Sequence, residues 1–175
     1  MKKEFPIVKY DPNFKLYFER EYNRLAKNFG KFFKIYHIGS TAVPNLGGKN
    51  ILDILLLSPT KKDAKRACKK MMLIGYTNPP NTGDKFRILF KRDMSYKNKK
   101  IRVHVHLMWK TSDRYKNYII FRDYLRTHPK EVKKYYNLKK FWWEKANHDR
   151  KKYTKMKAGY VVSVINKAKK LKRIV

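Results

Sequence analysis

Cysteine, acid and long apolar runs are all scarce in this chain. The single cysteine, Cys68, excludes an internal disulfide, and its neighbours show no metal-ligand spacing. A reducing, cytoplasmic setting is the expectation. No apolar core follows Met1, because Glu4, Pro6 and Lys9 interrupt the first residues, so no secretory leader is expected. The longest apolar run, ILDILLL over 51–57, contains Asp53 and is far too short to span a bilayer. Acid is the scarcest class relative to its opposite: 13 Asp and Glu stand against 45 Lys and Arg, a formal net charge of +32. Such an excess attracts phosphates, nucleotides and nucleic acid. No basic tail and no RGG-like run concentrates it, although the last 66 residues carry as much net positive charge as the first 109.

What is present is enough for a core. A chain of 175 residues that is 42% hydrophobic, with ten Phe and thirteen Tyr, reads as one folded domain. Asp11-Pro12 reads as a helix start, followed by Phe14, Tyr17, Phe18, Leu25 and Phe29 at helical spacing and closed by Gly30. A strand is predicted over 32–38, a second over 51–57, a helix over 61–74, and a loop over 78–84. Two strands follow at 86–90 and 101–109, joined by the charged segment KRDMSYKNKK, which reads as irregular. Helices are predicted over 113–127, 129–146 and 149–170, the first two separated at His128-Pro129. The fold class is α/β or α+β: a sheet core over 1–109 and a helical cap over 110–175.

The segment from His37 to Pro59 carries the strongest chemical signal. A strand ends in Gly39-Ser40, and the next strand carries a lone carboxylate, Asp53. Glycine lets backbone approach a phosphate, Ser40, Thr41 and the following N–H groups can donate to it, and the acid can hold Mg²⁺. A plain Gly-Ser turn between two core strands is the competing reading. His104 and His106 alternate with valines on one strand and share a face, where they could bind a metal, flank a phosphate or form a half-buried couple. Arg87 is expected to point into the space they line if Phe86, Ile88 and Phe90 face the core. Arg122 and Arg126 lie four apart on a helix, suited to phosphate or carboxylate, or to an ordinary polar face. Tyr153 and Lys157 are also four apart, offering an aromatic platform and a charge. Trp109, Trp142 and Trp143 are expected to pack the cap on the sheet.

Together, Tyr10-Asp11-Pro12, HIGSTAVPNL (37–46), Lys49 before ILDI (51–54), Gly75-Tyr76, HVH (104–106), FRDYLRTHP (121–129), Leu138-Lys139 and DRKKYTKMK (149–157) resemble the GrpB-like family over nearly the whole chain. That family is related to the nucleotidyltransferases of DNA-polymerase-β-like fold and is also found fused to dephospho-CoA kinase. The resemblance implies a nucleotidyltransferase-like mixed sheet with flanking helices and a C-terminal three-helix segment. It further implies a Gly-Ser turn that grips a nucleoside triphosphate and strand carboxylates that hold Mg²⁺. Gly39, Ser40 and Asp53 fit that pattern, whereas Leu55 stands where a second acid is expected and histidines occupy the strand of the third. The expected site is therefore Asp53, His104 and His106 as catalytic and metal-binding residues, with Mg²⁺ or Mn²⁺ ahead of Zn²⁺. Gly39, Ser40, Thr41, Lys49, Arg87, Arg122, Arg126, Tyr153 and Lys157 are expected to bind the ligand. Nucleotidyl or phosphoryl transfer is the first functional expectation. The alternatives are a non-catalytic module for a nucleotide or CoA-like cofactor, and a basic RNA-binding protein.

Overall fold

A computed structural model of the protein describes residues 6–80 and 82–173; the first five residues, Asn81 of the predicted 78–84 loop and the last two residues lie outside it. The first helix, α1 (Phe14–Phe29), buries Phe14, Tyr17, Leu25 and Phe29 on one face, as their spacing requires, and Gly30 ends it at φ 62°. Asp11 is not its cap. Asn13 occupies that position, and Asp11 instead accepts a hydrogen bond from the Asn13 backbone N–H at 2.9 Å. Asp11 lies two residues before the cap position, too early to cap the helix. Its carboxylate closes a short Asx turn instead.

Four strands form one mixed sheet in the order β1-β2-β4-β3, where β1 is Lys34–Ile38, β2 Ile51–Ser58, β3 Ile88–Tyr96 and β4 Lys99–Trp109. The central pair, β2 and β4, is parallel, and the two outer pairings are antiparallel. Helix α2 (Lys61–Leu73) supplies the crossover between β2 and the β3–β4 hairpin. Thr60 caps it by accepting from the Asp63 N–H at 3.1 Å. Alternation along β2 and β4 sorts the two faces. Leu52, Ile54, Leu56, Val103, Val105 and Leu107 pack with α1 and α2. Asp53, Leu55 and Leu57, with His104, His106 and Met108 in register beside them, take the other face.

That second face is covered by α3 (Tyr115–Thr127), which packs with α4 (Pro129–Lys145) and α5 (Arg150–Arg173). A further cluster joins these helices to the loop after β1 through Val43, Leu46, Leu125, Val132 and Val164. The middle of the sheet is thus buried on both sides, which explains why both faces of β2 are apolar from Ile54 to Leu57.

Two expectations are corrected. The segment read as irregular, KRDMSYKNKK, is a hairpin whose turn, Lys97-Asn98, holds both residues at positive φ, 43° and 61°. This geometry matches the right-handed twist of the flanking strands. Arg102 Nε donates to Asp93 Oδ1 at 2.8 Å across the strands, and Met94 and Ile101 pair and turn into the core, but the inward-facing Arg92 and the charged residues around them interrupt the apolar alternation. Trp109 packs on the α1–α2 face rather than beneath the cap, because Met108 takes the cap side.

Leu55 is fully buried among Ile38, Leu57 and Met108. Leu55→Asp would strip apolar contact and bury a charge with no partner. It is expected to lower unfolding free energy by about 3–5 kcal/mol in urea titration, rather than to supply a usable second carboxylate.

Candidate functional site

The site is built around the loop that follows β1. Gly39 leaves the strand at φ 73°, and Ser40–Ala42 form a single 3-10 turn. A Cβ at position 39 would stand 2.5 Å from Asp53 Oδ2, so only glycine lets this turn sit against the carboxylate. Three cationic side chains of the helical layer then hold the loop by its carbonyls. Arg122 Nη1 donates to His37 at 2.9 Å, Arg126 Nε donates to Ala42 at 2.8 Å, and Lys139 Nζ donates to Gly47. Thr41 braces the loop from within, meeting His37 Nε2 at 3.0 Å and donating to the Ile51 carbonyl at 3.2 Å.

Between this turn, the sheet and the helices lies a cavity of about 380 Å³. Gly39, Ser40, Asp53, Arg87, His106 and Lys157 supply its polar wall. Tyr118 and Phe121 from α3 and Val161 and Ile165 from α5 supply the apolar one. His106 Nε2 donates to Asp53 Oδ1 at 3.2 Å, and because arginine can only donate, Arg87 Nη1 at 3.4 Å makes Nδ1 the acceptor. That fixes a neutral ring with its proton on Nε2. Burial lowers the His106 pKa below 6.5, with Arg87 and His104 adding to the effect and Asp53 opposing it. His104 Nδ1 lies 3.6 Å from the same carboxylate oxygen. Burial alone would raise Asp53, but the histidine hydrogen bonds outweigh it and hold the carboxyl well below the usual carboxylate range. Lys139 is 1% exposed, sits 2.9 Å from Ser40 Oγ and lies over the Tyr135 ring; burial pushes it well below the ordinary lysine range. Lys157 is lowered for the same reason, with Asp53 opposing the shift in both.

The family model described as GrpB protein matches residues 4–167. This chain belongs to the GrpB family. It is 33% identical over 140 residues to UPF0157 protein YqkA of Bacillus subtilis, covering 79% of this chain but only 40% of that protein. It is 29% identical over 167 residues to Glutamate-rich protein GrpB of Alkalihalophilus pseudofirmus, covering 94% and 96% of the two chains. The crystal structure of conserved protein GrpB from Enterococcus faecalis superposes with a TM-score of 0.77 at 27% identity, over 93% of this chain and 96% of that one.

Against this GrpB fold, the residues singled out from sequence separate into two groups. Gly39, Ser40, Asp53, Arg87, His106 and Lys157 line the cavity, and His104 supports Asp53 from beneath. The others lie around it. Thr41, Arg122 and Arg126 shape the loop. Tyr153 is buried against Trp143, and Lys49 Nζ sits 4.3 and 4.2 Å from the centres of those two rings. Burial, with Arg150 and Lys157 nearby, lowers Lys49 to about 8. Sequence reasoning missed Lys139 as a site residue. It also missed Val161 and Ile165, which the four-residue spacing from Lys157 toward the C-terminus of α5 would have revealed.

A divalent cation finds little to bind here. Asp53 is a single carboxylate faced by Arg87, Lys139 and Lys157, and both nitrogens of His106 are committed. Among the described residues, no group of three His, Cys, Asp or Glu is arranged to hold a metal ion. The donor set favours an anion.

His37 reports on the same field. Burial, with Arg126 and Arg122 adding to it, lowers its pKa from 6.5 to about 4, and its ring stacks on Phe18 at 4.8 Å. Below pH 6.5 the unfolded chain takes a proton that the folded chain refuses until about pH 4. The stability this residue contributes is therefore present above 6.5 and lost between 6.5 and 4. The loss should reach up to about 3 kcal/mol, and His37→Gln should flatten that part of the stability–pH curve measured by chemical denaturation.

Proposed function

We propose that the cavity binds a phosphorylated small molecule of the nucleotide class. The phosphates lie on the Gly39-Ser40 turn and the ring system lies between the apolar walls of α3 and α5. One observation carries this reading: Ser40, Arg87 and Lys157 converge on a single cavity whose opposite wall is aromatic and aliphatic. Such a division suits a ligand with an anionic end and a flat apolar end. Arg87 adds support. Its contacts to His106, Tyr118 and Thr82 are all 3.3–3.4 Å long, and its buried Nε meets no partner among the described residues. A phosphate oxygen would satisfy that group. The relation of GrpB-like chains to nucleotidyltransferases agrees with this ligand class.

Transfer of a nucleotidyl group by the two-metal route does not follow. Leu55 fills the second carboxylate position, and the protein's own cations neutralise the phosphate. Affinity for ATP should therefore not depend on Mg²⁺. Isothermal titration calorimetry with ATP checks the reading. Ser40→Ala is expected to cost about 1–2 kcal/mol of binding and Arg87→Met about 2 kcal/mol, with and without Mg²⁺. Equal affinity in wild type and both variants would remove the cavity as the binding site.

A further inference from the structure

Phosphate recognition uses Ser40 as a donor but does not use the close pair it makes with Lys139. Ser40 lines the cavity, and Lys139 stands directly behind it, with Nζ 2.9 Å from Ser40 Oγ. The remaining neighbours of that amine are the Gly47 carbonyl and the face of Tyr135 at 5.0 Å, neither of which is a carboxylate. Packing is tight around the pair: a Cβ at Gly48 would lie 3.1 Å from Ser40 Oγ and 3.5 Å from Lys139 Nζ. A lysine this deeply buried, with no carboxylate in hydrogen-bond contact and only Asp53 opposing the shift, is pushed toward the neutral amine, which has a lone pair to offer. The Gly47 carbonyl takes one amine hydrogen and so directs the lone pair elsewhere.

We propose that Ser40 is a nucleophile toward phosphorus and that Lys139 is its general base, a proposal that rests on the cavity holding a phosphorylated ligand. In the step, Ser40 Oγ forms a bond to the phosphorus and its proton passes to Lys139 Nζ, which becomes an ammonium. The bond from phosphorus to the leaving oxygen breaks on the side opposite Ser40, and that oxygen departs with the electron pair and takes a proton from cavity water, while Lys139 keeps the serine proton as an ammonium. Water then attacks the serine ester from the side the leaving group vacated and gives its proton to solvent; the P–O bond to serine breaks with its electron pair on Ser40 Oγ, and Lys139 returns the proton to that oxygen. Arg87 and Lys157 face the non-bridging oxygens and carry their charge throughout.

The test uses the intact protein and diisopropyl fluorophosphate, a phosphorus electrophile whose fluoride leaves as the serine ester forms. Intact-mass spectrometry is expected to find one adduct, mapped to Ser40 and absent in Ser40→Ala. Lys139→Arg keeps a cation and a donor but cannot accept the proton, and should slow labelling at least 100-fold. The wild-type rate should level off below the ordinary lysine range, because burial lowers the Lys139 pKa, with Lys157 of α5 adding to the effect and Asp53 of β2 opposing it, while Tyr135 of its own helix lies against the amine. No adduct at Ser40, labelling unchanged in a folded Lys139→Arg, or a wild-type rate that climbs steadily through pH 10 would each overturn the proposal. Should Lys139→Arg fail to fold, the wild-type pH profile decides alone. ATP binding seen by calorimetry without any adduct would remove the nucleophile and leave the binding reading standing.

Discussion

The structure depends on cations that close on backbone carbonyls. Arg122, Arg126 and Lys139 come from two helices of the C-terminal layer and grip the loop after β1 at His37, Ala42 and Gly47. Two of these carbonyls, those of Ala42 and Gly47, lie in the turn-rich loop and the third, that of His37, lies near the end of β1, and the guanidinium donors make their bonds stronger than an amide would. The same three contacts fasten the helical layer to the sheet. Together with the left-handed Gly39, they press the Gly-Ser turn against Asp53 and set the depth of the cavity.

Electrostatics follows from that arrangement. Loop-holding cations and cavity cations lie within one small volume, and Asp53 is the one carboxylate lining the cavity. Burial shifts His37, His106, Lys139 and Lys157 toward their neutral forms, and the neighbouring positive groups add to that shift. An anionic ligand relieves this strain and a divalent cation adds to it. A relative named as glutamate-rich aligns over 94% of this chain, while this sequence carries only five glutamates and a net charge of +32.

Elements built on apolar periodicity were readable from the sequence: α1, β1, β2, α2, β4 and the three C-terminal helices. The β3–β4 hairpin was not, because Arg92 and the charged residues around Met94 and Ile101 break the apolar alternation, and its positive-φ turn, Lys97-Asn98, contains no glycine. Strand alternation placed Asp53, His104 and His106 on one face, and Gly39-Ser40 marked the turn beside them. Lys139 stayed hidden because one lysine among 34, in the Lys-rich stretch NLKKFWW, has nothing local to mark it as buried. The Arg122–Arg126 pair was legible as two forks on one face, but its target was not, since a carbonyl and a phosphate present the same kind of oxygen to a guanidinium. Tyr153 misled for a related reason. Its spacing from Lys157 is helical in both directions, and packing against Trp143 turned the tyrosine into the core and the lysine into the cavity.

The central claim is that this cavity is an anion site set by Ser40, Arg87 and Lys157, and a crystal structure grown with a non-hydrolysable ATP analogue in metal-free buffer tests it most directly. The account predicts phosphate oxygens within hydrogen-bond distance of Ser40 Oγ, Arg87 Nε and Lys157 Nζ, with the base between Phe121 and Val161. Clear density for the analogue at another place on the protein, or phosphates that reach the cavity only when a metal ion bridges them to Asp53, would contradict it.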